Sequence, residues 1–257
     1  DFKNIDKYGW TPLHSAAFKG QLDVVKYLVE NCAKFKDPTK DYKIPLHLAA
    51  QEGRFDTVEY LAEKCAYLKF SDRDGMTPLH LAALKGGLNV VKSLIEKGAD
   101  FKIADDDGMT PLHLAAKEGK LDVVKYLVEQ GAGIDEFSKF GEFGKFEKFE
   151  KFDKTGRFDK IDKFDKIGKF GKFDKFGKTP LHLAAQKGKL DVVKYLIEQG
   201  SDIEIVDKSP FNKTPLRLAG EKGRYVVVKY LVDKGANVNI SDNAGRTLLH
   251  WAAQEGK

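Results

Sequence analysis

The residues of this chain best suited to chemistry are six histidines: His14, His47, His80, His113, His182 and His250. An imidazole can titrate near neutral pH, hold a metal or carry a proton. Their arrangement argues against each of these uses. The first four are 33 residues apart, and the other two sit in the same slot of a recurring motif. Metal ligands and acid–base partners must converge on one point. Side chains supplied once per repeat are spread along a line instead, so these histidines are expected to be structural.

Other candidates are equally weak. Gly177-Lys178-Thr179 closes a stretch that resembles a phosphate-binding loop, but counting from Gly171 the spacer is one residue too long and no buried strand precedes it. No nucleophile, base and orienting residue stand together, so no enzyme is expected. Cys32 and Cys65 occupy equivalent places in neighbouring repeats. Stacked helices lie about 10 Å apart, beyond the roughly 7 Å between Cα atoms that a disulfide spans. That usage fits a reducing compartment, and the expectation is an intracellular, cytoplasmic protein. A net charge of +5 on 257 residues is small for a nucleic-acid binder. No apolar run approaches a membrane span. No cofactor, metal or small-molecule substrate is implied.

Behind the histidines lies a repeat. Thr11-Pro12-Leu13-His14 returns as Ile44-Pro45-Leu46-His47, then at Thr77, Thr110, Thr179, Thr214 and Thr247. Threonine can cap the free N–H groups of a helix start. Proline is tolerated at the first helical position, where no N–H is needed. A glycine nine residues after the threonine position, such as Gly53 or Gly119, suits a left-handed helix end. A second segment follows, as in Leu121-Asp122-Val123-Val124-Lys125-Tyr126-Leu127, with apolar residues at helical spacing. An Asp-x-x-Gly turn, as at Asp72 to Gly75, leads into the next copy. One such unit cannot bury its apolar face alone, so the units must stack.

Two short antiparallel helices and a turn every 33 residues resemble the ankyrin repeat family, whose signature is matched almost letter for letter by Thr110 to Ala116. The resemblance implies an all-α solenoid with β-turn or hairpin connections, spanning 1–257 as a single array. It implies that the histidines tie neighbouring turns, and that Arg217, in the histidine slot of one copy, loosens that tie. It also implies a protein partner held in the concave groove between the turn tips and the first helices. The groove positions that differ between copies are then the candidates for contact: Tyr8, Trp10, Phe18, Lys43, Arg73, Met76, Leu84, Asp106, Met109 and Lys117. The N-terminal members form an aromatic and methionine stripe expected to be exposed; the bland alternative for Trp10 and Phe18 is that they cover an open end. A scaffold or adaptor is the leading expectation. A regulatory or targeting array of a larger enzyme or channel is the alternative. Both termini look truncated, as Asp1 starts inside a turn and the last copy stops after its first helix.

Between Thr110 and Thr179 the spacing is 69 residues rather than 33. Residues 133–178 run in triplets such as Phe146-Glu147-Lys148, with 11 basic and 8 acidic residues between 142 and 177. The acids cancel most of the field a nucleic acid would feel. Gly156-Arg157-Phe158-Asp159 matches Gly53-Arg54-Phe55-Asp56, and Phe158, Ile161 and Phe164 then fall where Leu190, Val193 and Leu196 lie. The segment is therefore expected to be a degenerate repeat starting near Glu147, with a solvated loop as the alternative. Phe152 and Asp153 stand where two alanines are expected.

Overall fold

A computed structural model describes residues 4–31, 37–64, 67–136, 151–152, 158–159, 177–209, 211–241 and 245–254. Each first helix starts at the proline of the motif, after a residue in extended conformation whose threonine hydroxyl, where present, faces the helix end. These helices are α1 (Pro12–Lys19), α3 (Pro45–Gln51), α5 (Pro78–Lys85), α7 (Pro111–Glu118), α9 (Pro180–Lys187) and α11 (Pro215–Glu221). The second helices are α2 (Leu22–Glu30), α4 (Phe55–Lys64), α6 (Leu88–Glu96), α8 (Leu121–Glu129), α10 (Leu190–Glu198) and α12 (Tyr225–Asp233). A last first helix, α13 (Leu248–Gln254), follows.

First helices pack on first helices in chain order, and second helices pack behind them. The alanine pairs Ala49-Ala50, Ala82-Ala83, Ala115-Ala116 and Ala184-Ala185 are fully buried, which brings adjacent helices close. Leu46, Leu79, Leu112 and Leu181 fill the space between the two helix layers with Val58, Val91, Val124 and Val193. Burying one such leucine is worth about 1.5–3 kcal/mol, so the stack is held by many small contributions between nearest neighbours. Where one partner changes, the other follows. Leu248 stands at the motif's proline position, and Gly220 replaces the second alanine of the preceding repeat. A Cβ at Gly220 would collide with the Leu248 side chain.

The second helices carry a ladder of their own. Lys26 lies over the Tyr60 ring, Lys92 over Tyr126, Lys125 over Tyr195 and Lys194 over Tyr230. In each case the lysine belongs to the repeat before the tyrosine. Repeat two has Glu59 in the lysine slot, and repeat three has the small Ser93 in the tyrosine slot. At these junctions between repeats the aromatic ring is present where the preceding repeat supplies a lysine. At the break, Lys97 reaches back to Glu63 at 2.9 Å.

The array does not pause at the long segment. α7 packs directly against α9, as α5 packs against α7. The Lys125–Tyr195 contact crosses the segment, and so does a hydrogen bond from Asp202 N–H to Asp135 Oδ2 at 3.2 Å. The close cover of Gly119 also crosses it: a Cβ there would meet Lys189 Cδ at 2.7 Å, as one at Gly86 would meet Lys120 Cδ at 2.6 Å. A degenerate repeat intercalated between the repeats of Thr110 and Thr179 is therefore not what the described residues show. The segment itself lies mostly outside them. What is described is an antiparallel pair, β1 (Lys151–Phe152) with β2 (Phe158–Asp159), in which Phe152 faces Phe158 in register. Phe158 and Asp159 are thus extended where the second helix of a degenerate copy was expected to begin. The physical reason lies in the motif: no Thr-Pro start and no alanine pair offer a neighbouring helix a surface to approach.

Replacing residues 137–176 by the four residues Ala104 to Asp107 of the preceding turn restores the regular spacing before Gly177. Shortening the closed loop this way should raise stability by up to about 2 kcal/mol, read as a higher urea midpoint with unchanged helical circular dichroism. A lower midpoint would mean that the segment contributes to the core.

Candidate functional site

The groove side of the array is built by the turns, here called fingers, and by the histidines beneath them. Asp6, Asp72, Asp105 and Asp207 each open a finger by accepting backbone N–H groups on one carboxylate oxygen. Asp105 Oδ1 takes those of Asp107 at 3.0 Å and Met109 at 2.8 Å. Neighbouring fingers touch through backbone bonds: Lys40 N to Tyr8 O, Arg73 N to Asp41 O, Asp106 N to Asp74 O and Lys208 N to Gly177 O. The Arg73 guanidinium adds a bond to Lys40 O at 2.7 Å and an ion pair with Asp41 at 3.2 Å.

Five of the six motif histidines, His14, His47, His80, His113 and His182, are held at both ring nitrogens; His250, in the last copy, is exposed and held at Nδ1 by Thr247. In repeat three, Nδ1 of His80 accepts from the Thr77 N–H at 3.1 Å and pairs with its hydroxyl at 2.8 Å, while Nε2 reaches Met109 O at 3.1 Å. Accepting at Nδ1 leaves the proton on Nε2, which donates to the carbonyl. His14, His47 and His182 reach Lys43 O, Met76 O and Lys213 O in the same way. His113 Nε2 lies 3.0 Å from Glu136 O and 3.1 Å from Lys178 O. His47 makes the same double contact with Phe70 O and Met76 O, six residues apart. One imidazole therefore clamps both ends of the long segment as though it were an ordinary finger. With both nitrogens engaged, these side chains have no lone pair left for a metal. Arg217 lies in the histidine slot with its guanidinium on Glu221 Oε1 at 3.0 Å and Phe211 O at 3.2 Å, both within its own repeat.

Burial pushes the imidazoles far below their ordinary range: His14, His80, His113 and His182 to about 4 and His47 to about 3. Burial also pushes the Asp105 carboxyl up to about 7, helped by Asp107 and Asp106.

The candidate contact residues fall into pairs. The residue before each threonine faces the last turn of the helix that follows it. Trp10 meets Phe18, with ring centroids 5.4 Å apart. Lys43 Nζ donates to Gln51 Oε1 at 2.8 Å, Lys178 Nζ to Gln186 Oε1 at 3.3 Å and Lys213 Nζ to Glu221 Oε2 at 2.7 Å. Met76 and Leu84 rest on a small apolar cluster of Met109, Leu114 and Leu183. The expected exposed stripe is thus broken up. Met109 is buried, at 7% exposed. Met76, Leu84, Trp10 and Phe18 are half-buried, Lys43 and Lys117 likewise, and Tyr8, Arg73 and Asp106 are exposed. The side chain before threonine packs on its own helix, which buries Met109 and Lys178 and leaves Trp10, Lys43 and Met76 half-buried. Leu114 and Leu183 were not singled out from the sequence, because the leucine after the histidine recurs too regularly to look like a site. Cys32 and Cys65 lie outside the described residues.

A crevice between Thr214, Arg217, Asn237, Val238 and Thr247 measures about 10 Å³, room for one water. Among the described residues, no three His, Cys, Asp or Glu side chains are grouped to hold a metal, and no helix is long and apolar enough to cross a membrane.

The repeat unit, the finger and the doubly held histidine define a class of helical solenoid. A family model described as ankyrin repeats (3 copies) matches residues 1–70, 46–138, 161–207 and 181–257. The chain belongs to the ankyrin repeat family. The human ASB11 ankyrin repeat domain, known from a crystal structure, superposes with a TM-score of 0.71 at 24% identity, covering 95% of this chain and 92% of that one. No curated protein matches the sequence.

The pH dependence of stability follows from the histidines. Unfolded, each takes a proton near 6.5; folded, each stays neutral until about 4. Each therefore contributes stability that is present above pH 6.5 and lost as the pH falls from 6.5 to 4, up to about 3 kcal/mol apiece. Asp105, raised rather than lowered, opposes this: its cost grows as the pH climbs from about 4 to 7. Asp72 and Asp107, also pushed up by burial, oppose it in the same sense, and the five imidazoles outweigh these three carboxylates. The urea midpoint should fall steeply between pH 6.5 and 4, and a flat profile there would contradict buried neutral imidazoles.

Proposed function

We propose that the chain is a scaffold or adaptor, acting inside the cell, that holds a partner protein in the groove between its fingers and first helices. Ankyrin repeats are general protein–protein interaction modules, and the chain belongs to that family. The observation that carries the groove reading is the pairing on its floor. On a framework that repeats almost unchanged, these pairs change in character along the array: aromatic in Trp10 with Phe18, apolar at Met76 and Leu84, an ion pair in Lys213 with Glu221, and a lysine with a glutamine both in Lys43 with Gln51 and in Lys178 with Gln186. Framework residues answer to stacking, whereas these answer to whatever lies above them. The half-buried Met76 and Leu84 provide an apolar contact, and the fingers around them a polar rim, the usual arrangement of a binding surface.

Quantitative affinity capture from cell extract would test this with three forms of the chain: unchanged, Met76→Glu with Leu84→Glu, and Lys229→Glu on the outer face of α12. Proteins enriched by the first form should fall at least tenfold with the double groove variant and persist with Lys229→Glu, all three forms having the same thermal unfolding profile. Equal capture by the groove variant would remove the groove reading.

A further inference from the structure

Fingers turn at a position that is glycine in Gly9, Gly75, Gly108 and Gly245, with φ between +72° and +80°. The slot is tight as well as left-handed. A Cβ at Gly9 would sit 3.0 Å from Lys40 N, and one at Gly75 2.5 Å from Asp106 N. In the second finger the same slot holds Tyr42, at φ +60°. Arg73 N–H still bonds to Asp41 O at 3.0 Å, so the next finger stays closed against it. Among the described residues the other non-glycine with positive φ is Asn212, at +44°. Asparagine enters this region readily, whereas a bulky side chain there is an outlier. Such outliers gather where a function keeps them against their cost. Tyr42 is 40% exposed, and it has aromatic neighbours. On the first finger Tyr8 is 59% exposed, and its carbonyl accepts from the second finger's Lys40 N–H at 3.2 Å. On the floor of the first repeat lie the half-buried Trp10 and Phe18, with centroids 5.4 Å apart. Four rings thus line this side of the first two repeats, where the third brings Met76 and Leu84.

We propose that this end of the groove takes a proline-rich segment of a partner protein in the polyproline II conformation, with Tyr42 as a specificity-determining contact. Such a segment shows the same face every three residues, at about 3.1 Å each, or about every 9 Å. Stacked repeats lie about 10 Å apart, so successive turns of one bound segment meet Tyr8 and Tyr42 in step. A β-strand shows the same face about every 7 Å and falls out of step with the fingers. Proline also suits the rings chemically. Its conformation is set before binding, and aromatic-lined surfaces are the recurring receptor of Pro-x-x-Pro segments. The inference rests on the groove reading above and adds the chemistry of the occupant and its place at the aromatic end.

The probe is a displayed library of random 12-residue peptides, selected on the full chain, with the winners synthesised and measured by fluorescence anisotropy. The expected winners carry prolines three residues apart, and their affinity drops at least tenfold in Tyr8→Ala/Tyr42→Gly. Trp10 and Phe18 stay in place because they pack on each other. Tyr42→Gly alone should leave the urea midpoint unchanged or raised, since glycine takes this φ without steric cost. A lowered midpoint would mean that Tyr42 serves the fold, and would overturn its role as a contact. Winners that need the rings but lack the proline spacing would overturn the choice of occupant. Winners lost with Met76→Glu/Leu84→Glu but unmoved by Tyr8→Ala/Tyr42→Gly would overturn this inference and leave the groove reading standing. Winners indifferent to both variants, or no winners, would overturn both.

Discussion

A buried imidazole held at both nitrogens, present in five of the repeats, is the contact on which the rest of the molecule depends. Its Nδ1 accepts from the threonine that starts its own helix, and its Nε2–H donates to a carbonyl at the edge of the next repeat. A buried polar group is tolerable only when its hydrogen bonds are made. Meeting that requirement sets the tautomer, the helix start and the distance to the next finger together. The stack is cohesive because of apolar burial, but this bond sets its register.

The same bond explains how the array tolerates a long segment. His113 needs two carbonyls at the base of a finger, and Glu136 and Lys178 supply them at 3.0 and 3.1 Å. Closing a loop of several tens of residues costs little more than closing a short one, because the entropy grows only with the logarithm of length. The contacts recovered on either side, Lys125 on Tyr195 and α7 on α9 among them, outweigh that cost.

On the proposed reading, partner binding falls to positions the framework does not need. The fingers and the last turns of the first helices repeat in backbone but not in side chain, so they can vary without loosening the stack. Ankyrin repeats bind other proteins by this division of labour. In this chain the division yields an aromatic pair at one end, an apolar centre under acidic fingers, and lysines held by Gln51, Gln186 or Glu221 elsewhere.

Much of this was legible in the residue order. Thr-Pro-Leu-His, the glycine nine positions on, and the apolar spacing of the second segment are local rules, and they determined the helices, the repeat and the family. The structural role of the histidines followed from the resemblance to that family, and the proposal of a partner in the groove rests on the same resemblance. What could not be read locally is what lies next to what. Two copies separated by 69 residues pack as neighbours because Tyr195 and Lys189 meet a lysine and a glycine already waiting on the fourth repeat. Met109 looked like part of an exposed stripe and is buried, since its finger folds it onto Leu114 and Leu183. The carboxylates of Asp74 and Asp106, 32 residues apart in sequence, share one edge because a glycine lets two fingers close. Local propensity determined the units; contact between units decided which side chains are left to meet a partner.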